Sequence, residues 1–185
     1  MRAGWQGSEE FQAAQKLAPE AAYGNIGMSL ALLQSDRVEE SLRLLRHQWV
    51  ISKSSPMVSF MLAQALLRAG PDPSDKEFQE AQRMLKKTVE LDPNHARAHG
   101  LLGKNYALLG NMAEAVRELE VALRLDPNDR TSAYQLVLLY GKTGRPDLAA
   151  KWEVRVRERI EADRMAETEG DRYRILRAAP ERDKH

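Results

Sequence analysis

Apolar residues recur at helical spacing in two runs along residues 96–129, ARAHGLLGKNYALLGNMAEAVRELEVALRLDPND. Leu102, Tyr106 and Leu109 form one stripe, and Ala115, Leu119 and Ala122, with Val116, Leu123 and Leu125, form a second. Gly110-Asn111 breaks the period between them. Asp126-Pro127-Asn128 closes the second run with side chains able to cap a following helix. Gly103, Ala115 and Ala122 put small residues where two packed helices would otherwise collide. The pattern predicts two amphipathic helices joined by a tight turn.

Laid along the chain, this spacing finds further copies of itself. At 130–163 Leu136, Tyr140, Gly144, Ala149 and Val156 repeat it at an offset of 34 residues, with Val137 in place of Gly103 and Glu153 in place of Leu119. At 22–55 Met28, Ser29, Leu32, Asp36, Ser41 and Leu45 fill the corresponding places, but Gln48 and Lys53 replace Ala122 and Pro127. At 56–95 Pro56 opens the first helix and Gly70 ends it, the usual helix asymmetry. Leu62, Ala63, Leu66, Ala81, Leu85, Thr88 and Pro93 continue that unit, and six additional residues around PDPSDK lengthen its turn. Before these units, Ser8 can cap a helix over 8–19 in which Phe11, Ala14 and Pro19 match the close of the best copy. That segment reads as a half-repeat, which would place the start of the chain inside a longer array, or as a capping helix. After them the last helix continues through AAKWEVRVRERIEADRMAET, supported by opposite charges four apart such as Glu153–Arg157, and is expected to stop at Gly170. The remainder, 164–185, is a C-terminal extension. Its 172–178 segment is expected to dock on the last unit, with disorder beyond Pro180.

Residues 96–129 resemble one tetratricopeptide repeat. Gly103, Tyr106, Gly110, Ala115, Ala122 and Pro127 stand on that family's signature positions. Leu119 stands where a larger aromatic is usual. His99 replaces the usual Trp, a departure expected to weaken packing. The resemblance implies an all-α chain, an α-α superhelix of about four helix-turn-helix repeats plus the N-terminal half-repeat or cap. Such units cannot bury their apolar stripes alone, so they stack and offer an extended groove. Carrying over the family's inward positions puts Tyr23, Ile26, Leu30, Phe60, Gln64, Arg68, Arg97, Lys104, Tyr134, Leu138 and Lys142 on that groove, alongside Leu33, Met57, Leu67, Gly100, Leu108 and Thr131. The surface so drawn is apolar at its N-terminal end and increasingly basic toward the other, suited to an extended or helical peptide with acidic character. Chaperone-binding members of the family grip a C-terminal carboxylate with Lys, Asn and Arg. Here Ile26, Leu30, Gly100 and Lys104 occupy the corresponding places, so that activity is not expected.

Composition narrows the chemistry. In 185 residues Lys and Arg (28) nearly cancel Asp and Glu (27), which gives no electrostatic case for nucleic acid or an anionic membrane. There is no cysteine, and abundant Ala, Leu, Arg and Glu favour helix. No apolar run approaches the ~20 residues that span a bilayer. The start, MRAGWQGSEEF, lacks the apolar stretch of a signal peptide, which leaves the compartment open between cytoplasmic and, for a processed fragment, periplasmic or extracellular. His95 and His99 have a metal-compatible spacing with no third ligand beside them. GNIG at 24–27 and GLLGKN at 100–105 lack phosphate-loop spacing, and Trp5, Trp49 and Trp152 are too scattered for a stacking platform.

No nucleophile–base or metal constellation can be read, so no catalytic residue, cofactor or metal is expected. The function expected is a non-enzymatic scaffold, of bacterial style in its Ala/Arg usage, binding a protein or peptide along the concave groove. The rival readings are a self-assembling protein that packs head to tail as a homo-oligomer or filament, and the regulatory repeat region of a larger enzyme.

Overall fold

The computed structural model describes residues 22–68 and 70–178, and the described residues form eight helices without a strand. In chain order they are α1 (Ala22–Gln34), α2 (Val38–Ile51), α3 (Pro56–Arg68), α4 (Lys76–Leu91), α5 (Ala96–Leu108), α6 (Met112–Leu125), α7 (Arg130–Lys142) and α8 (Pro146–Ala178). They pack as successive antiparallel-type pairs, each against its own partner and against the pair that follows. The fold is a helical solenoid. The segment read as an 8–19 helix and the residues beyond 180 lie outside the described residues.

The turn inside each pair has one recurring solution. Asp36, Gly70, Gly110 and Gly144 all have positive φ, at 59°, 65°, 78° and 70°. Glycine takes this left-handed conformation without steric cost, and aspartate is among the few other residues that tolerate it. The six-residue insertion falls immediately after Gly70. There Ser74 donates from N (3.0 Å) and Oγ (2.7 Å) to Asp72 Oδ1, Asp72 N donates to Asp75 Oδ2 at 2.8 Å, and Gln79 Nε2 donates to the Pro73 carbonyl at 2.8 Å. Those bonds from Ser74 hold the Asp72 carboxyl below its ordinary pKa.

Between pairs the turns are alike as well. Asp92 and Asp126 each accept from the backbone N–H two residues on, at 3.1 and 3.0 Å, and so close Asx turns in the DPNH and DPND segments. The next residue in each segment then caps the following helix. His95 Nδ1 accepts from Ala98 N, and Asp129 Oδ1 accepts from Thr131 N and Ser132 N.

The core is two clusters of buried residues along the stack. Leu45, Leu62, Leu66, Leu85, Leu102, Leu119 and Leu136 are all but inaccessible, and Tyr106 packs against both the N-terminal and the C-terminal cluster. At the crossing of α5 and α6 a Cβ added to Gly103 would lie 2.7 Å from Leu119 Cγ and 3.1 Å from the Ala115 carbonyl oxygen. At the equivalent crossing of α1 and α2, Ser29 and Ser41 are fully buried, and Ser41 Oγ donates to the Ser29 carbonyl at 3.1 Å.

Where the family's Trp is usual, this chain holds Asn25, Ser59, His99 and Ala133, and the three polar ones bond to their partner helix. Asn25 Nδ2 donates to Gln48 Oε1, Ser59 Oγ and Thr88 Oγ1 share a bond at 2.9 Å, and His99 Nδ1 lies 2.7 Å from Glu118 Oε2. His99 therefore does not loosen its pair. Its ring is buried, with Nε2 also 3.0 Å from the Pro93 carbonyl, which ties α5 to the preceding turn.

One expected boundary fails. Gly170 does not end the last helix, which continues to Ala178 and takes in the 172–178 segment expected to dock separately. A single interior glycine costs only about 1 kcal/mol against alanine, and helix formers flank this one.

Three outcomes follow from these packing environments. Gly103→Ala should lower stability by about 1–3 kcal/mol through overpacking. Gly141→Ala, whose Cβ meets nothing within 4 Å, should raise it by about 0.5–1 kcal/mol; urea denaturation midpoints compare them. Asn25→Ala should cost about 1–3 kcal/mol by stranding Gln48, and Asn25→Ala with Gln48→Ala should recover part of that loss.

Candidate functional site

The first helices of the pairs, α1, α3, α5 and α7, bring three clefts together. One of about 760 Å³ lies between α1 and α3 and reaches the 92–97 turn. Its floor is Ile26 and Phe60, both nearly buried, and Leu30 and Met57 stand about half exposed at its sides (44% and 48%). Phe60 is fixed from two directions. The His95 ring lies 4.3 Å from it, tilted by 42°, and the Arg97 guanidinium lies 5.7 Å from its centroid.

A second cleft, of about 310 Å³, lies between α5 and α7 and is lined by Gln64, Arg97, Lys104, Asp126, Asp129 and Gln135 among others. The third, of about 580 Å³, lies under the inserted loop, where Pro71, Asp72 and Pro73 face Leu101, Lys104 and Leu108 of α5. Gln64 lines all three. Arg68, Arg97 and Lys104 each line two.

Of the eleven residues carried onto the groove from sequence, Ile26, Leu30, Phe60, Gln64, Arg68, Arg97 and Lys104 line these joined clefts. Tyr134, Leu138 and Lys142 lie farther along on α7, exposed to solvent, and line none of the three. Tyr23 sits in the first turns of α1, and its side chain lies outside what is described.

The sequence reading missed acidic groups. Asp92 lines the first cleft, and Asp126 and Asp129 line the second, so the groove is of mixed charge rather than increasingly basic. The available signal was the recurrence of LDPNH at 91–95 and LDPND at 125–129, which places an aspartate at the same edge of successive pairs. Asn105 was also missed. It is buried beside the third cleft and its Nδ2 has no partner.

Chemically the clefts offer apolar anchorage, an amide and cations facing carboxylates. Among the described residues no three His, Cys, Asp or Glu side chains converge as metal ligands, and no helix is long and apolar enough to cross a membrane. His95 and His99 are engaged as a helix cap and as a cross-link between helices.

A family model described as tetratricopeptide repeat matches residues 74–150. Residues 74–150 belong to the tetratricopeptide repeat family. Repeats of this family generally mediate protein–protein interaction. The same fold runs through the whole described chain. MamA from Desulfovibrio magneticus superposes with a TM-score of 0.72 at 17% identity, over 87% of this chain and 88% of that one. A thermophilic tetratricopeptide-repeat protein of Thermus thermophilus superposes with a TM-score of 0.66 at 22% identity, over 88% and 86%. At those identities the likeness is one of fold. In sequence the chain is 27% identical over 99 residues to cell division cycle protein 27 homolog A of Arabidopsis thaliana, and the match spans 13% of that relative's length.

The His95 cap carries a pH dependence. Burial is the largest influence on this imidazole and pushes its pKa below the ordinary value, against the raising effect of Asp92. The folded state therefore binds fewer protons than the unfolded one. The contribution is complete above the unfolded pKa of about 6.5 and is lost as pH falls below it toward the lowered folded value. His95→Asn caps the helix without titrating. The stability difference between wild type and His95→Asn, from urea midpoints, should shift toward the variant between pH 7.5 and pH 5.5.

Proposed function

We propose that the chain is a non-enzymatic scaffold that binds an extended or helical segment of a partner protein along the joined clefts on α1, α3, α5 and α7. The observation that carries this reading is their convergence on Gln64, which makes one continuous track from three separate recesses. Its N-terminal part suits a bulky apolar side chain, set against Leu30, Met57 and the Phe60 floor. Its middle suits a polar backbone and an acidic group, with Gln64 able to bond a peptide amide and Arg68, Arg97 and Lys104 close by. The carboxylates of Asp92, Asp126 and Asp129 discriminate against strongly acidic sequences, so the partner segment is apolar first and only locally acidic. An open track of this kind excludes little water, which supports recognition over catalysis.

The test begins with a pull-down using the intact chain, followed by a binding titration of the partner it recovers. Leu30→Asp with Met57→Asp should weaken that binding at least tenfold with unchanged helical circular dichroism, because both side chains are already solvent-facing. Lys104→Glu should weaken it less. Undiminished binding to both variants would move the contact off this face.

A further inference from the structure

The opposite side of the last two pairs carries a recess that the track does not use. It lies between the second helices α6 and α8 and the first turn of α7, with a volume of about 570 Å³. It meets the concave clefts at Asp129 alone. Its floor is apolar, made by Leu123 of α6, Ala133 of α7, and Trp152 and Val156 of α8. Trp152 is only partly covered, and the Arg155 guanidinium lies 4.8 Å from its ring centroid.

The rim is cationic. Arg124 and Arg155 are exposed on it, and Arg130 and Arg159 complete a lining with four guanidiniums against two carboxylates. Of those carboxylates Asp129 is committed to the α7 cap, with Oδ1 accepting from Thr131 N and Ser132 N and Oδ2 accepting from Ser132 Oγ at 2.5 Å. Glu158 is left to face the arginines. Arg124 and Arg155 enter no ion pair among the described residues. Arg155 is thus placed at the edge of the apolar floor, and a planar guanidinium suits two-point bonding to a carboxylate.

We propose that this recess is a second docking site, for an acidic peptide segment of a partner protein in which a bulky apolar side chain stands among glutamates or aspartates. The apolar side chain rests on Trp152, Leu123 and Val156, and the flanking carboxylates take Arg124 and Arg155. Charge complementarity selects this occupant, since the rim repels a basic segment and an apolar one would leave Arg124 and Arg155 without ion-pair partners. The recess is within the size range of sites that hold one side chain and its neighbours. Its apolar floor and arginine rim share no residue with the concave track.

The experiment is fluorescence anisotropy with the full chain and a fluorescein-labelled peptide of glutamates around one phenylalanine. A matched peptide carries glutamines in place of the glutamates. Saturable binding of the acidic peptide is expected, at least tenfold tighter than that of its glutamine counterpart and weakened by added salt. Arg124→Glu with Arg155→Glu should reduce it at least tenfold. Arg43→Glu with Arg83→Glu, an equal charge change on exposed positions of α2 and α4, should leave it unchanged. Circular dichroism checks each fold, and Arg124→Gln with Arg155→Gln serves if the glutamate pair unfolds. Equal affinity for the two peptides, or no saturable binding, overturns the proposal. So does acidic-peptide binding that survives the Arg124 and Arg155 changes but is lost with Arg68→Glu and Lys104→Glu, which would assign it to the concave track.

Discussion

Two helix backbones can lie against each other only where one of them presents almost no side chain, and in this chain that close crossing sets what its neighbours can be. Gly103 meets it by absence, with Leu119 occupying the space a Cβ would need. The α3–α4 pair meets it with Ala63 and Ala81, both fully buried. The α1–α2 pair meets it with Ser29 and Ser41, and a buried hydroxyl is tolerable there because each finds a carbonyl, Asn25 O and Ser29 O respectively. Once the crossing is fixed, the place one turn earlier becomes a gap of defined size. The chain spans it with side-chain hydrogen bonds, Asn25 to Gln48, Ser59 with Thr88 and His99 with Glu118, where the family uses an aromatic ring. Such bonds add little net stability, but breaking one strands a buried partner. They make the first three pairs particular in register.

That constraint bears on the groove through the turns. The Pro93 carbonyl that meets His99 belongs to the same turn whose Asp92 closes on Asn94, and whose His95 caps α5 and stacks on Phe60. A turn built to join two pairs therefore also delivers a carboxylate, an imidazole and a fixed aromatic floor to the concave side. One pair later Asp126 and Asp129 deliver carboxylates in the same way. The acidic part of the groove is a consequence of turn chemistry, and it recurs for that reason at the spacing of the repeat.

Such coupling separates what was legible in the sequence from what was not. The left-handed residue of each turn could be read, even at Asp36, because glycine at the other three positions reveals the spacing and aspartate is an accepted substitute. The buried leucines could be read from period alone. Gln48 could not, since on its own it looks like a damaged repeat. It makes sense only beside Asn25, and a pairing across 23 residues leaves no trace in local pattern. Position alone puts Arg68, Arg97 and Lys104 on the joined clefts, whereas Asp126 reads only as a turn and capping residue and Asp92 gives no sign of its place there. Gly170 shows the opposite failure: the local signal of a glycine is outweighed by the helix formers around it.

The inserted loop shows how a solenoid acquires an individual surface without risk to its stack. From Asp36 to Gly70, and again from Gly110 to Gly144, the left-handed residues keep the repeat spacing, so the additional residues disturb neither neighbouring pair. Lengthening a turn by so few residues costs well under about 1 kcal/mol in closure entropy. The bonds among Asp72, Ser74, Asp75 and Gln79 order the segment. Phe78, two residues into α4, is then buried, which anchors the loop's far end to the core. The result is a firm wall beside Lys104 and Leu108, standing over a cleft that a turn of ordinary length would leave open on that side. Because each pair touches only its neighbours, change at this turn can reshape the cleft beneath it while the crossings that hold the solenoid together stay as they are.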